Sequence, residues 1–510
     1  MTVLKEPVDR AEASGMAGWL ASSAALSVPV LLLGLLLRVL YLNHESVSGD
    51  EAFSITLTQE PLGQVMHKLV LDLVHPPLHY LALRGWLKLF GFGLFQARVL
   101  SVIFGALAIV FLYLLAEYLF DRRTALLSAL LMATSQLAIM FSQEARPYAQ
   151  MHFLGLLSAY LFLRALREGR AMYWWGFVGS STLMIYTNYF GVFLIAALFL
   201  VAVVYREHNK LRLWWVFAGA VVTLVLYTPW LASGILHEAT KPGRVSTGTA
   251  EYSAVHWWTF LSIVNSFNNG KPAGLRSDSP WWTYAVGGLL FSAPLVLLLK
   301  RLVVAKTGWE TADRDREGIV AVGILWLLPI FLILLSGKAF HIPYNVRYVS
   351  FCAAFYYVLV ARAIFELPFD ALRWCLVALI LVYSANALRA NYFMRWKENW
   401  DDAFAYVQSN RKVGDCGVFP PDFRVHLQPW AVTQAGRPSF QVISKESLAA
   451  GAPGCERIWE VAAAPRDDWR EWNEYKKKSD PIPATYSKIE EQHFYAVRVA
   501  LYSQKDQGPR

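Results

Sequence analysis

Charge is what this 510-residue chain has least of. Asp, Glu, Lys and Arg make up 17% of it, against about 25% in an ordinary soluble domain. The chain is also 56% hydrophobic and 15% aromatic, with a mean hydropathy of +0.35. These proportions exclude a disordered protein, a coiled coil and a typical soluble enzyme. Several chemical signatures are missing too. There is no Walker loop, no Gly-x-Ser-x-Gly elbow and no His-Glu-x-x-His, so phosphate-loop ATPases and zincins have no support. No internal repeat or low-complexity run stands out.

What is present is apolar length. Runs of 18 or more apolar residues recur from Leu20 to Leu388, long enough to cross a bilayer as helices. The first, Gly18–Tyr41, is too long for a signal peptide and carries Arg38 near its far end; it reads as an uncleaved anchor with the N-terminus inside. Ten more follow: Ala97–Phe120, Thr124–Phe141, Tyr148–Leu166, Tyr173–Thr187, Phe190–Tyr205, Leu213–Leu231, Trp281–Leu299, Gly318–Leu335, Tyr348–Phe365 and Leu372–Leu388. The expected fold is an α-helical polytopic membrane protein of about 11 spans, in a range of about 10–13 because several sit at the short limit.

Orientation follows from Lys and Arg in short loops. Arg122 and Arg123; Arg164, Arg167 and Arg170; Arg206, Lys210 and Arg212; and Lys300, Arg301 and Lys306 mark one side as cytoplasmic. The loops Asn43–Gln96, Ser142–Pro147, Asn188–Tyr189, Ala232–Pro280 and Ser336–Arg347 then lie outside, with the tail. Pro77–Phe95 is apolar, but Arg84 and Lys88 fall near its middle. It reads as a helix lying in the interface, because a span there would send the basic clusters outside.

Charge also marks a boundary. Residues 391–510 hold 17 Lys+Arg and 16 Asp+Glu, about twice the charge density of the rest. The expected domains are 1–390, a membrane body with a first external loop at 43–96, and 391–510, a small extracytoplasmic α/β domain. In that tail Trp400–Ser409 has helical periodicity. Cys416–Phe419, Phe440–Ile443, Ile458–Val461 and His493–Tyr502 read as strands, and Asp467–Lys477 as an exposed helix. Cys416 and Cys455 could pair in an oxidising compartment or stay as thiols. Cys352 and Cys375 fall in spans and read as packing residues. The net charge of +9 sits in the membrane part, where it sets topology; nucleic acid is not an expected partner.

Polar groups gather at external span ends. Asp50 and Glu51 follow Ser48-Gly49 just outside the first span. They point in different directions in any regular structure, so one suits a general base and the other a cation or sugar hydroxyl. The plainer reading is a solvated acidic pair. In His75-Pro76-Pro77-Leu78-His79-Tyr80 the prolines fix a helix start, and His75 could meet a phosphate there; a rigid interfacial turn is the plainer reading. Ser142-Gln143-Glu144-Ala145-Arg146-Pro147-Tyr148 makes a tight charged turn in which Arg146 is a candidate phosphate clamp, or part of a local ion pair. Tyr189 sits in a short turn. His237, His256, Trp257, Trp258, Asn268, Lys271 and Arg276 share a longer loop, whose aromatics suit interface anchoring or sugar stacking. Lys338, His341, Tyr344, Arg347 and Tyr348 cluster before a late span, where Arg347 could snorkel or hold an anionic headgroup.

In that order of elements the chain resembles the GT-C glycosyltransferases of the protein O-mannosyltransferase and lipid A aminoarabinose transferase type. The resemblance rests on Asp50-Glu51, His-Pro-Pro at 75–77, Gly91-Phe92-Gly93, Ala97-Arg98-Val99-Leu100-Ser101, Asp121-Arg122-Arg123, Glu144-Ala145-Arg146-Pro147-Tyr148, Arg347-Tyr348 and the tail start at Trp400. It implies transfer of a sugar from a polyprenyl-phosphate donor to a lipid, lipopolysaccharide, glycan or protein acceptor. It also implies a bacterial inner membrane, with chemistry on the periplasmic side. Asp50, with Glu51 beside it, would act at the acceptor. His75, Arg146, Tyr148, Lys338, Arg347 and Tyr348 would face the donor phosphate or lipid. Glu144, His79, Tyr189, Trp257 and Trp258 would face acceptor or sugar. A divalent cation, Mg or Mn, held by Asp50, Glu51 and His75 is left open, since metal use varies among these folds. The chain lacks the β-trefoil modules of protein O-mannosyltransferases, which leaves lipid or polysaccharide at least as good an acceptor as protein. A secondary transporter or flippase is the alternative, but that would favour ionisable residues inside spans. A non-catalytic assembly protein is a third.

Overall fold

A computed structural model describes residues 16–205, 213–235, 258–270, 281–304, 313–340, 345–395, 397–418, 441–442, 455–463, 482 and 485–504. The chain divides into two compact units: 1–40, 61–86 and 96–390 form one, and 41–60, 87–95 and 391–510 the other. Two pieces of the first loop, assigned with 1–390 by sequence, thus group with the tail.

The helices in chain order are α1 (Met16–Val39), α2 (Gly49–Gln59), α3 (Leu62–Asp72), α4 (Leu78–Phe90), α5 (Leu94–Leu119), α6 (Arg122–Thr134), α7 (Gln136–Ser142), α8 (Tyr148–Glu168), α9 (Ala171–Thr187) and α10 (Gly191–Val204). They continue with α11 (Leu213–Trp230), α12 (Trp258–Asn269), α13 (Trp281–Val304), α14 (Asp313–Phe340), α15 (Ala353–Phe365), α16 (Asp370–Phe393) and α17 (Trp400–Asn410). Among the described residues six stretches are long and apolar enough to cross a membrane: Leu94–Leu119, Tyr148–Glu168, Leu213–Ile235, Trp281–Lys300, Asp315–Ala339 and Asp370–Phe393. The spans expected at Gly18–Tyr41, Phe190–Tyr205 and Tyr348–Phe365 coincide with shorter apolar helices, Ser27–Val39, Gly191–Val204 and Ser350–Phe365.

The span expected at Thr124–Phe141 is not one straight helix. It is α6 and α7, bent by 61°. Asp121 starts α6 by accepting from the backbone of Arg123 and Thr124, and Ser135 starts α7 by accepting from Ala138 N. A break among buried residues exposes carbonyls that no water reaches. Arg38, fully buried on α1, supplies the donors. Its Nη1 donates to Ala133 O (3.2 Å) and Gly34 O (3.0 Å), and its Nη2 to Met132 O (3.2 Å). Its Nε donates to Ser142 Oγ at 3.1 Å. Gln143 Nε2 in turn donates to the carbonyls of Arg38 and Leu40. Gly105 on α5 makes room: a Cβ there would lie 2.2 Å from Ser142 Oγ and 3.0 Å from Arg38 Nε.

In the second unit the described strands are β1 (Cys416–Val418), β2 (Gln441–Val442), β3 (Arg457–Ala463), β4 (Tyr486–Phe494) and β5 (Val497–Gln504). Their order is β2-β1-β3-β5-β4, with β1 parallel to β2 and β3, and β5 antiparallel to β3 and β4. The strand expected over His493–Tyr502 is in fact a hairpin, turning at Tyr495–Ala496, where Ala496 takes φ 54°. That left-handed turn residue is an alanine, so no glycine or asparagine announced it. Residues Val497–Tyr502 are all buried, while most of β4 faces outward. Cys416 and Cys455 form a disulfide across the β1–β3 edge. Arg498 pairs with Glu460 at 2.7 Å inside the sheet. The helix expected at Asp467–Lys477 lies outside the described residues.

Arg38→Met should remove the donors at the break and destabilise the protein by about 2–4 kcal/mol, read as a lower unfolding midpoint in detergent. Gly105→Ala, which displaces Ser142 from Arg38, should act in the same direction.

Candidate functional site

In the first unit the residues singled out by sequence converge around the turn 142–148. Helix α3 ends at Asp72, Leu73 takes φ 60°, and the chain turns into His75-Pro76-Pro77 and α4. The His75 ring lies between two partners. Its Nδ1 is 2.7 Å from Asp72 Oδ2 and its Nε2 is 2.6 Å from Arg146 Nη2. Asp72 can only accept and Arg146 can only donate, so the ring carries its proton on Nδ1 and offers the Nε2 lone pair to the guanidinium. Arg146, buried at the turn, also donates through Nη1 to Tyr80 OH at 3.2 Å. Its backbone N–H donates to Glu144 O at 2.8 Å, which makes the turn tight and leaves Glu144 half-buried.

Beyond the turn α8 begins at Tyr148, whose hydroxyl accepts from Arg347 Nη1 at 3.2 Å. Arg347 is set by a short helical turn, Val346–Tyr348, that Asn345 caps. Tyr348 packs its ring on Phe190 with centroids 4.6 Å apart. Next to Phe190, the Tyr189 hydroxyl accepts from Trp230 Nε1 at 3.1 Å. Burial, helped by the charge of Asp72, pushes Tyr189 up to about 12. His75, Arg146, Tyr148, Tyr189, Arg347 and Tyr348 are therefore joined by direct contacts or by single neighbours. His79 sits beneath them, buried, with Nδ1 3.1 Å from Gln150 Oε1. Burial pushes it down to about 3, so it is neutral at physiological pH.

The other residues singled out by sequence fall elsewhere. Lys338 is exposed near the end of α14. Trp258 starts α12 and is half exposed. Trp257, His341 and Tyr344 lie outside the described residues. Asp50 and Glu51 belong to the second unit, in the first turn of α2. There they part company: Asp50 is exposed and Glu51 is fully buried. Ser48 and Glu51 form a reciprocal capping box, and Glu51 Oε2 also lies 3.2 Å from Lys397 Nζ. Sequence reasoning did not single out Asp72, Tyr80, Gln150 or Lys397. Only the spacing of Asp72, three residues before His75, was a legible hint.

Of the residues named for a cation, Asp50 and Glu51 fall in the second unit and His75 in the first. Glu51 Oε2 accepts from Ser48 and Lys397, and the two nitrogens of His75 lie beside Asp72 and Arg146. Among the described residues no group of three or more His, Cys, Asp and Glu is placed to hold a metal.

Residues 74–232 match the family described as dolichyl-phosphate-mannose-protein mannosyltransferase. The chain is 28% identical over 260 residues to undecaprenyl phosphate-alpha-4-amino-4-deoxy-L-arabinose arabinosyl transferase 1 of Pseudomonas fluorescens, covering 49% of this chain and 43% of that protein. It is 24% identical over 311 residues to an uncharacterized protein of Aquifex aeolicus, covering 60% and 57%. The chain thus matches about half the length of these curated relatives. ArnT from Cupriavidus metallidurans superposes with a TM-score of 0.52 in its complex with undecaprenyl phosphate, over 97% of this chain and 100% of that one, at 14% identity. Oligosaccharyltransferase AglB from Archaeoglobus fulgidus, with an inhibitory peptide and a dolichol-phosphate, superposes at 0.50 over 96% and 75%, at 13% identity. The fold is that of ArnT and AglB, in a multi-pass membrane protein, and the relatives named by activity all transfer sugars.

Since the folded chain keeps His79 neutral while the unfolded chain protonates it below about 6.5, stability should fall as pH drops from about 6.5 toward 3. His79→Asn should flatten that dependence by up to about 1.4 kcal/mol per pH unit, read from unfolding midpoints at a series of pH values.

Proposed function

We propose that this chain transfers a sugar from a polyprenyl-phosphate donor to an acceptor on the extracytoplasmic face of a bacterial inner membrane. The observation that carries the reading is Arg146: buried, oriented by His75 and Tyr80, and two residues from the Tyr148 that holds Arg347. It falls within the segment that matches the mannosyltransferase family. Two guanidiniums, each oriented by neighbouring side chains, suit a phosphate that gains charge as its bond to the sugar breaks.

In this reading the reaction is a single displacement with inversion. An acceptor hydroxyl attacks the anomeric carbon, the bond from that carbon to the phosphate oxygen breaks, and the proton passes to Asp50. The polyprenyl phosphate leaves with the electron pair, and Arg146 and Arg347 stabilise it. Asp50 is exposed at the start of α2, where the helix N-terminus favours negative charge. Tyr189 and Glu144 are candidates for contact with sugar hydroxyls. A divalent cation is not written into any step, because Glu51 and His75 are engaged otherwise.

The proposed topology keeps about eleven spans, with residues 391–510 as an α/β domain outside. The Cys416–Cys455 disulfide supports that side, since such bonds persist in oxidising compartments. A transporter would also use a broken helix, and α6–α7 is one. Its break, however, is filled by Arg38 and Ser142 rather than turned toward a solute path.

Three outcomes are expected. In membranes supplied with labelled undecaprenyl-phospho-mannose and undecaprenyl-phospho-aminoarabinose, Asp50→Asn should abolish transfer of whichever label the wild type moves. Arg146→Ala should slow that transfer about 100-fold or more. Wild-type rates in both would sink the assignment. Val413→Cys in a Cys375→Ser background should react with an impermeant thiol reagent in spheroplasts; labelling only after lysis would reverse the orientation.

A further inference from the structure

The acidic pair 50–51 looks like a unit in the sequence, yet its two side chains do unrelated things. Residues adjacent on a helix diverge by about 100°. In α2 this leaves Asp50 exposed while Glu51 is fully buried. Glu51 Oε2 accepts from Ser48 N at 3.1 Å, Ser48 Oγ at 3.2 Å and Lys397 Nζ at 3.2 Å. Lys397 is itself only 5% exposed. Its backbone N–H donates to Glu45 Oε2 at 3.0 Å, and Asp401 N donates to Ser46 Oγ at 3.1 Å. The segment 397–401 therefore grips 45–51 at three points, all inside the second unit.

A buried ion pair is seldom the most stable filling for its site, because desolvating both charges offsets their attraction. What it supplies is one defined geometry. Here that geometry fixes the N-terminal turn of α2 and thereby the direction of the side chain that precedes Glu51. We propose that Glu51 and Lys397 are positioning residues for Asp50, with Lys397 contributed from the segment that follows the last membrane helix. The proposal rests on the reading of Asp50 as the group that acts at the acceptor. Glu51 then takes no proton, metal or sugar; it keeps Asp50 aimed. Residues 45–51 and 397–401 lie outside the segment 74–232 that matches the family, so the pairing emerges from the tertiary structure of this chain.

The test uses the full-length protein in detergent and in proteoliposomes. Lys397→Met should slow label transfer about 10- to 100-fold, the scale of a misplaced catalytic group. Affinity for undecaprenyl phosphate, the probe for the donor side, should stay at the wild-type value, while the melting temperature falls because Glu51 loses its buried partner. Lys397→Arg, which can still donate to Glu51, should recover most of the rate. Glu51→Gln, the same shape without the charge, should reproduce Lys397→Met and serves if that variant does not fold. Wild-type transfer in a folded Lys397→Met protein overturns the proposal. So does a joint fall of rate and undecaprenyl phosphate affinity, which identifies a purely structural pair. Asp50→Asn run alongside separates the two readings. Full activity there removes the acceptor-side role of Asp50, while loss there with a normal Lys397→Met removes only the positioning pair.

Discussion

The membrane unit depends on one buried guanidinium. A helix that breaks inside a bilayer exposes carbonyls with no water to receive, and few side chains can answer several of them at once. Arg38 can, because its donors form a rigid fork that spans Met132, Ala133 and Ser142. That permits the 61° bend between α6 and α7. The bend in turn delivers the chain into the turn 142–148, where Arg146 lies buried between His75 and Tyr80. Gly105 is part of the same arrangement, since any side chain there would take the space of Ser142.

From Arg38 the logic passes to polar groups that are each held by another. Asp72 fixes the tautomer of His75, and His75 offers its second nitrogen to Arg146. Tyr148 holds Arg347. In the second unit Ser48 and Lys397 hold Glu51. Such chains cost side-chain and desolvation free energy, and their return is a narrow distribution of orientations at the groups they end on. The two ends that matter for the proposed chemistry differ accordingly: Arg146 is buried, Asp50 is exposed.

Much of the fold was legible because hydropathy is a strong signal. Every expected span coincides with a helix or a bent helix pair, since 18 apolar residues have few other fates. The boundaries of the tail strands were less legible. His493–Tyr502 reads as one strand, but Tyr495–Ala496 turns it back, with no glycine or asparagine to mark the turn. At the site, Arg146, His75, Tyr148 and Arg347 were readable as charged or aromatic groups at span ends. Asp72, Tyr80 and Lys397 were not. An aspartate closing a helix, a tyrosine in an interfacial helix and a lysine in a charged segment are ordinary residues until their partners are known.

By itself the sequence determined the membrane character, the helical architecture, the charge-dense tail and the candidate residues at span ends. These follow from local quantities: apolar length, charge density and the chemistry of single side chains. Only the tertiary structure decided that Asp50 and Glu51 have different fates, that His75 serves Arg146 rather than standing alone, and that Cys416 meets Cys455. Each of these turns on which residue, tens to hundreds of positions away, comes within reach of a hydrogen bond or, for the cysteines, of a covalent bond. The scarcity of charge makes those encounters consequential, because a charge buried in so apolar a chain must be held by a partner.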